Sequence, residues 1–321
     1  MKKIRWGILG YGNIAKRFIK SLAASKTGEL YAIASLSQHE SLQSQFPDLK
    51  IYNNYQSLLE DAQVDVVYIA LVHGLHKLYS IEALKAKKAV FTEKPATLNA
   101  RDLKEVLAVA EANQVFYGEA LKTRYNEALL QLAQDIKDGL LGTISFISAS
   151  FEDNMGALAP NHYMFDLNQG GALWDLGSYP IGFVNLFIKE KPSHISATMF
   201  MKEGIDTSTH ALLTYGEHLQ AHISVSTTQT QSRYALIRGE KGIVYMNHSN
   251  RPTKYDVVIQ SGSMSYSYPF EVDDMYTEIE AVHQAINNQD LESRQYPHHE
   301  ILRTIEVMDE IRHQARRVEN E

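Results

Sequence analysis

Residues 4–18 read IRWGILGYGNIAKRF. Ile4 to Leu9 is a short apolar run of strand type, and from Asn13 onward NIAKRFIKSLAAS carries the spacing of an amphipathic helix. Between the two stands Gly10-Tyr11-Gly12-Asn13-Ile14-Ala15, a G-x-G-x-x-A turn. In this context the first glycine permits the tight turn and the second lets backbone come close to a pyrophosphate. The small third residue lets the helix pack on the strand, and the helix N-terminus turns its orphan N–H groups towards the phosphates. The turn therefore predicts a dinucleotide site touched by Gly10, Tyr11, Gly12, Asn13 and Ile14. A glycine triplet alone also fits a plain βα turn, so the decision falls to the surrounding chain.

That chain continues the pattern. ELYAIAS, DVVYIAL and KAVFTE read as further strands, and LHKLYSIEALKA and NARDLKEVLAVAEAN as helices, the second capped by Asn99. Strand alternating with helix predicts a parallel sheet covered on both faces. After a helix over about 125–138, ended by Asp138-Gly139, the rhythm changes. TISFISASF, SHISATMF, DTSTHALLTY, LQAHISVSTT, SRYALIRG, GIVYMN, KYDVVIQ and SMSYSYPF follow at short intervals, with helices at 172–189, 273–288 and 298–317. The expected architecture is an α/β Rossmann dinucleotide-binding domain over 1–122, then an α+β domain over 123–321 with a large, mostly antiparallel open sheet. The last helices can pack back on the first domain. A bare sheet face predicts a homodimer or homotetramer formed through it.

The composition narrows the function. The 321 residues are 44% hydrophobic and 21% charged, the balance of a globular protein. Without any cysteine the chain has no disulfide, thiolate metal site or cysteine nucleophile. A net charge of −7 with scattered basic residues disfavours nucleic acid as a partner. No apolar run reaches the ~20 residues a membrane helix needs. MKKIRWGILG is broken by Arg5 and by glycines and lacks a cleavage site, so it reads as a first strand and the protein as cytoplasmic.

The second strand ends Ala34-Ser35-Leu36-Ser37, where an NAD-binding chain would place an acid for the ribose hydroxyls. No arginine waits there for a 2′-phosphate, but no carboxylate repels one and Ser35, Ser37 and His39 can donate to it, which favours NADP over NAD; Ser35 and Leu36 read as cofactor contacts. Residues 89–98, AVFTEKPATL, run a buried strand into Glu93, Lys94 and Pro95. Proline forces the chain out of the sheet and keeps the preceding lysine out of the helical region, so Lys94 is held at a sheet rim. Leu71 ends the strand DVVYIAL, and His73 and His76 follow it at the carboxyl edge, where such sheets bind ligands; all three read as cofactor-lining with Glu93. Histidines also occur at 162, 298 and 299, but no HExxH or comparable cluster supports a metal.

GILGYGNIA, DVVYIALVHGLH, TEKP and GGALWDLGSYPI, in this order and spacing, resemble the Gfo/Idh/MocA family, the glucose–fructose oxidoreductase and inositol dehydrogenase group. The resemblance spans nearly the whole chain, including EVMDEIRHQ at 306–314. EALKTRY at 119–125 and the tyrosine of DLGSYP are most similar to the dihydrodiol dehydrogenase and NADP-dependent sugar dehydrogenase branch. That branch usually shows EA-x-W-T-R-F followed soon by proline, whereas this chain has Lys122 for the tryptophan, Tyr125 for the phenylalanine and Glu127 near the expected proline. His76 matches the family's usual residue, and His73 stands where asparagine is common.

The resemblance implies an NAD(P)-dependent oxidoreductase acting on a sugar, polyol or cyclic diol, with Lys94, Asp175 and Tyr179 catalytic. Asp175 and Tyr179 are four apart, which puts both on one helix face. A nearby lysine cation favours tyrosinate, so the expected scheme has Tyr179 exchange the proton and Lys94 assist it at the reacting oxygen. Asp175 orients the substrate or the lysine. Arg124, Tyr125, His162 and Asp166 are expected substrate contacts. Two other readings stay open: a non-catalytic NAD(P)-binding regulatory protein, and a glycosidase with a retained NAD. Each residue also has a bland reading, Lys94 as a solvated lysine and Tyr179 as helix–sheet packing.

Overall fold

A computed structural model describes residues 3–156, 158, 162–229 and 232–319. They form two compact units, Met1–Ala120 with Glu271–Ile301 and Leu121–Phe270 with Leu302–Glu321. No helix among the described residues is long and apolar enough to cross a membrane.

The first unit is built on six parallel strands: β1 (Ile4–Leu9), β2 (Gly28–Ala34), β3 (Lys50–Tyr52), β4 (Val66–Ile69), β5 (Ala89–Glu93) and β6 (Tyr117–Ala120). Helices α1 (Asn13–Leu22), α2 (His39–Gln45), α3 (Tyr55–Glu60), α4 (His76–Lys85) and α5 (Ala100–Asn113) connect them. The order β3-β2-β1-β4-β5-β6 reverses direction between β1 and β4, the switch point at which doubly wound sheets take dinucleotides. β4 and β5 are buried along their whole length, as the uninterrupted apolar runs of a two-sided sheet require. Trp6, Phe18, Tyr68 and Phe91 fill the core, with Phe18 stacked on Tyr68 at 3.8 Å between ring centroids. Asn99 caps α5 as expected, its side chain accepting from the Asp102 N–H.

In the second unit α6 (Glu127–Lys137) leads into β7 (Ile144–Glu152), then α7 (Ala172–Leu176) and α8 (Ser178–Phe187). The strands β8 (His194–Lys202), β9 (Ile205–Tyr215), β10 (Leu219–Ser226), β11 (Ala235–Gly239), β12 (Gly242–Met246), β13 (Lys254–Ile259) and β14 (Gly262–Ser267) follow. The chain then supplies α9 (Tyr276–Asn288) to the first unit, continues through α10 (His298–Gln314) and ends in β15 (Arg316–Glu319). The nine-stranded sheet runs β14-β13-β12-β11-β7-β10-β9-β8-β15. It is antiparallel except where β10 pairs β7 and β15 pairs β8.

Two features differ from the sequence reading. The helix expected over 298–317 stops at Gln314, and Arg316–Glu319 is a strand. The helix expected over 172–189 is two helices meeting at Gly177. Pro180 has no N–H to give to the carbonyl of Leu176, four residues back, and its ring crowds that carbonyl. Gly177 nevertheless keeps right-handed helical angles, so the chain direction persists through the break.

The sheet's two faces differ. Ile147, Ala149, Ala211, Leu213, Ala221, Ile223, Ile237, Val244 and Val257 are buried on one. On the other, the register aligns Leu212, His222, Ser148, Leu236 and Tyr245 across five strands. Leu212, Tyr234, Tyr245 and Val258 are large, exposed apolar side chains on that open face.

α9 and the residues leading into it pack within the first unit through specific bonds. The indole N–H of Trp6 donates to His283 Nε2 at 2.8 Å, and Ser21 donates to the Asp273 carboxylate at 2.6 Å. An Arg17–Asp274 ion pair at 2.6 Å adds to them.

Candidate active site

β1 ends at Leu9 and Gly10 turns the chain with φ +88. A Cβ there would stand 2.6 Å from the carbonyl oxygen of Ala70, so both the dihedral and the space call for glycine. Gly12, by contrast, has φ −85 and is the N-cap of α1; a Cβ there would meet nothing within 4 Å. The first turn of α1 holds no acidic residue, and no side chain caps it. An open space beside a bare helix N-terminus is what a pyrophosphate needs, so these residues fit NAD(P).

Around that turn Asn13 is exposed and Ile14 half-buried, while the Tyr11 ring packs edge-on against Phe46 at 6.0 Å. Gln38 donates to the Tyr11 carbonyl at 3.3 Å, tying the glycine turn to the segment after β2. In that segment Ser35 is buried and Leu36 is 63% exposed. Leu71 lines the back of the turn, its Cδ2 being 2.9 Å from where a Gly10 Cβ would lie.

Lys94 leaves the carboxyl end of β5 half-buried, with a cis peptide bond to Pro95. Side chains hold its backbone from several directions. Glu93, itself buried, accepts the Lys94 N–H at 3.2 Å and the hydroxyl of Tyr68. Glu119 of β6 accepts the Ala96 N–H at 2.6 Å. His76 faces the Pro95 carbonyl through Nδ1 at 2.8 Å and the Leu71 carbonyl through Nε2 at 3.0 Å. Burial, and then the neighbouring His73, push the His76 ring down to about 4. A neutral ring donates only one of those two bonds. His76 is thus wholly buried and fastens two loops of the carboxyl edge together, with His73, also buried, 5.8 Å away between ring centroids.

In the second unit Asp175 lies in α7 and Tyr179 in the first turn of α8, both buried. Tyr163 donates its hydroxyl to Asp175 Oδ1 at 3.0 Å, and the Tyr179 ring stacks on Phe151 at 4.8 Å. The start of α7 is fixed by Asp206, whose carboxylate accepts the Leu173 N–H at 2.7 Å and the Thr209 hydroxyl at 3.1 Å. Burial raises Asp206 to about 6. Gly171, at φ +107, runs against Asp206 Oδ1, which leaves no room for a Cβ.

Arg124 is buried with NH1 donating to the Gly182 carbonyl at 3.2 Å, which braces α8. Tyr125 is buried in the same single turn, as is Lys122. Glu127 opens α6 behind the Asn126 cap, where a carboxylate suits the helix start. His162 and Asp166 stay half-buried. His162 Nδ1 accepts the Met164 N–H at 3.3 Å, and Asp166 is held below the usual carboxylate range first by the Asn168 N–H and then by Gln169. Among the described residues no group of three or more His, Asp or Glu is placed to hold a metal ion.

Sequence reasoning missed Glu119, Tyr68 and Tyr163. EALKTRY contained Glu119 in view, but nothing local says that a strand carboxylate will reach a turn 23 residues away.

Residues 4–120 match the oxidoreductase family GFO/IDH/MocA, NAD-binding Rossmann fold, and residues 129–245 match a GFO/IDH/MocA C-terminal domain. The chain is 31% identical over 258 residues to trans-1,2-dihydrobenzene-1,2-diol dehydrogenase of Mus musculus, covering 78% of this chain and 77% of that one. It is also 31% identical over 249 residues to the Homo sapiens enzyme of the same name, covering 76% and 74%. A 3-ketoreductase from Actinomadura kijaniata, solved with NADP and TDP-benzene, superposes over 100% of both chains with a TM-score of 0.88 at 26% identity. Structures of that ketoreductase include a lysine-to-alanine and a tyrosine-to-phenylalanine variant.

Proposed function

This chain belongs to the Gfo/Idh/MocA family of NAD(P)-binding oxidoreductases, enzymes of CH–OH chemistry, and from that premise we propose what it acts on and how. It interconverts a secondary alcohol and a carbonyl on a sugar, polyol or cyclic diol. The mouse relative's name gives a cyclic diol, and the Actinomadura relative is a ketoreductase bound to NADP. NADP is favoured over NAD because β2 runs out into Ala34-Ser35-Leu36-Ser37 without a carboxylate.

Bound nicotinamide supplies the hydride chemistry. The chain's own residues bind and move protons. The N–H groups opening α1, with the space over Gly12, hold the pyrophosphate. Lys94 hydrogen-bonds the reacting oxygen, and Tyr179 takes the alcohol's proton as tyrosinate in oxidation and returns it from the phenol in reduction. Asp175, oriented by Tyr163, directs the substrate hydroxyl. His162 and Asp166 are assigned to substrate contact ahead of the buried Arg124 and Tyr125. The open face bearing Leu212, Tyr234, Tyr245 and Val258 is the surface through which copies pair, because such an apolar patch is unfavourable in water.

What carries the reading is the tethered Lys94 on the same carboxyl edge as the bare start of α1. The test is nicotinamide absorbance at mildly alkaline pH with NADP and NAD against aldoses, inositols and cyclic diols, for wild type and Lys94→Ala. Turnover by the wild type alone, faster with NADP, is the expected result. Cofactor binding with silence across the panel would overturn it for a regulatory binding protein. Sugar release without net cofactor reduction would overturn it for a glycosidase with retained NAD.

A further inference from the structure

Glu119 sits in β6 opposite Thr92 of β5 and has no exposed surface. A carboxyl group taken out of water must find donors, and it finds the Ala96 N–H at 2.6 Å and the Tyr296 hydroxyl. Ala96 lies two residues beyond Lys94, on the far side of Pro95. On the near side Glu93 holds the Lys94 N–H itself. Two buried carboxyl groups therefore grip the turn before and after its proline, and the lysine side chain springs from between them.

We propose that Glu119 is a positioning residue for Lys94, holding the Lys94-Pro95-Ala96 turn so that the ammonium projects from the carboxyl edge of the sheet, and acting on that ammonium through its charge. The inference rests on the assignment of Lys94 to the reacting oxygen. Burial raises Glu119 to about 7, against the opposing effect of the Ala96 N–H bond, so its charge changes near neutrality. The titratable groups facing it are Glu93 and Lys94 from β5 and its turn, Tyr296 ahead of α10, and Tyr117 on its own strand. A carboxylate so placed stabilises the Lys94 cation; a neutral carboxyl does not.

The amine can be read without knowing the substrate. Competitive labelling with acetic anhydride, followed by mass spectrometry, gives the rate of Lys94 acetylation from pH 6 to 9 in wild type, Glu119→Gln, Glu119→Ala and the surface control Glu111→Gln. In Glu119→Gln Lys94 should label like wild type near pH 6, where Glu119 is protonated, and about threefold faster towards pH 9, where its charge is lost, as a half-unit shift gives. Glu111→Gln should coincide with wild type. A change in access alone scales the profile at every pH, and a purely structural role lowers the melting temperature without moving the profile along the pH axis. If Glu119→Ala does not fold, Glu119→Gln, which keeps an acceptor for the Ala96 N–H, decides. A Lys94 profile in Glu119→Gln that coincides with wild type overturns the proposal. The label reports on the amine and not on turnover, so a moved profile supports the positioning role even if Lys94→Ala remains active, in which case the reaction scheme alone falls.

Discussion

Gly10 and Gly12 are two residues apart in one turn, yet alanine at each should fail in a different assay. At Gly10 the φ of +88 is a region that costs an L-residue about 1–2 kcal/mol. The added Cβ would also lie 2.6 Å from the Ala70 carbonyl, a backbone atom that can withdraw only by shifting the end of β4. Overpacking of that kind adds about 1–3 kcal/mol, so Gly10→Ala should lose about 2–5 kcal/mol in all. At Gly12 the backbone is ordinary and the space is open, so Gly12→Ala should cost only the exchange of a glycine N-cap for alanine, about 0.5–1 kcal/mol. Its methyl group instead occupies the room a pyrophosphate would enter, and the dissociation constant for NADP should rise at least about tenfold, or 1.4 kcal/mol. Urea unfolding without cofactor and calorimetric titration with NADP separate the two. A Gly12→Ala protein that binds NADP like wild type would refute the placement of the pyrophosphate. A Gly10→Ala protein as stable as wild type would refute the steric reasoning.

Tyr179→Phe should lower kcat at least about 100-fold while leaving the cofactor dissociation constant within about twofold; equal loss of both would mean that Tyr179 packs and does not transfer protons. Tyr163→Phe frees Asp175 of a hydrogen bond and should raise KM severalfold with a smaller effect on kcat, read from steady-state kinetics. Two buried groups beside the Lys94 turn should oppose one another in the pH dependence of stability. Glu119, raised from 4.5 to about 7, gives stability that is complete below pH 4.5 and lost as pH rises towards 7. His76, lowered from 6.5 to about 4, gives stability that is complete above pH 6.5 and lost as pH falls towards 4. Each is of order 3 kcal/mol, so urea midpoints should be nearly flat with pH in wild type, fall with rising pH in His76→Gln and fall with decreasing pH in Glu119→Gln. Parallel curves for the three proteins would refute the pairing.

The first unit's sheet was legible because its signals are local. Gly10 needs its dihedral, Asn99 its cap, and β4 and β5 their unbroken apolar runs. The features missed are those in which a residue is read by a distant partner. Arg316–Glu319 is charged and short, and only its pairing with β8 makes it a strand. The break at Gly177 could have been taken from Pro180, since the missing N–H is a property of the sequence itself. Glu119 and Tyr163 could not, because a carboxyl or hydroxyl group announces that it needs a partner without announcing which one. The histidines at 73 and 76 show the opposite case: the positions by the sheet edge were readable, while the orientation of the His76 ring towards two carbonyls depends on how the loops close around it.

The bond from Trp6 to His283 joins residues 277 apart in the chain. At a ribosome adding about 5–20 residues per second, β1 leaves the exit tunnel roughly 14–55 s before α9 exists to meet it. Throughout that interval the indole of Trp6 lacks its acceptor, and the flank of the nucleotide-binding half that α9 covers is bare. The part of the chain made first is thus among the last to be finished, and chaperone protection of a nascent chain would matter most on that flank.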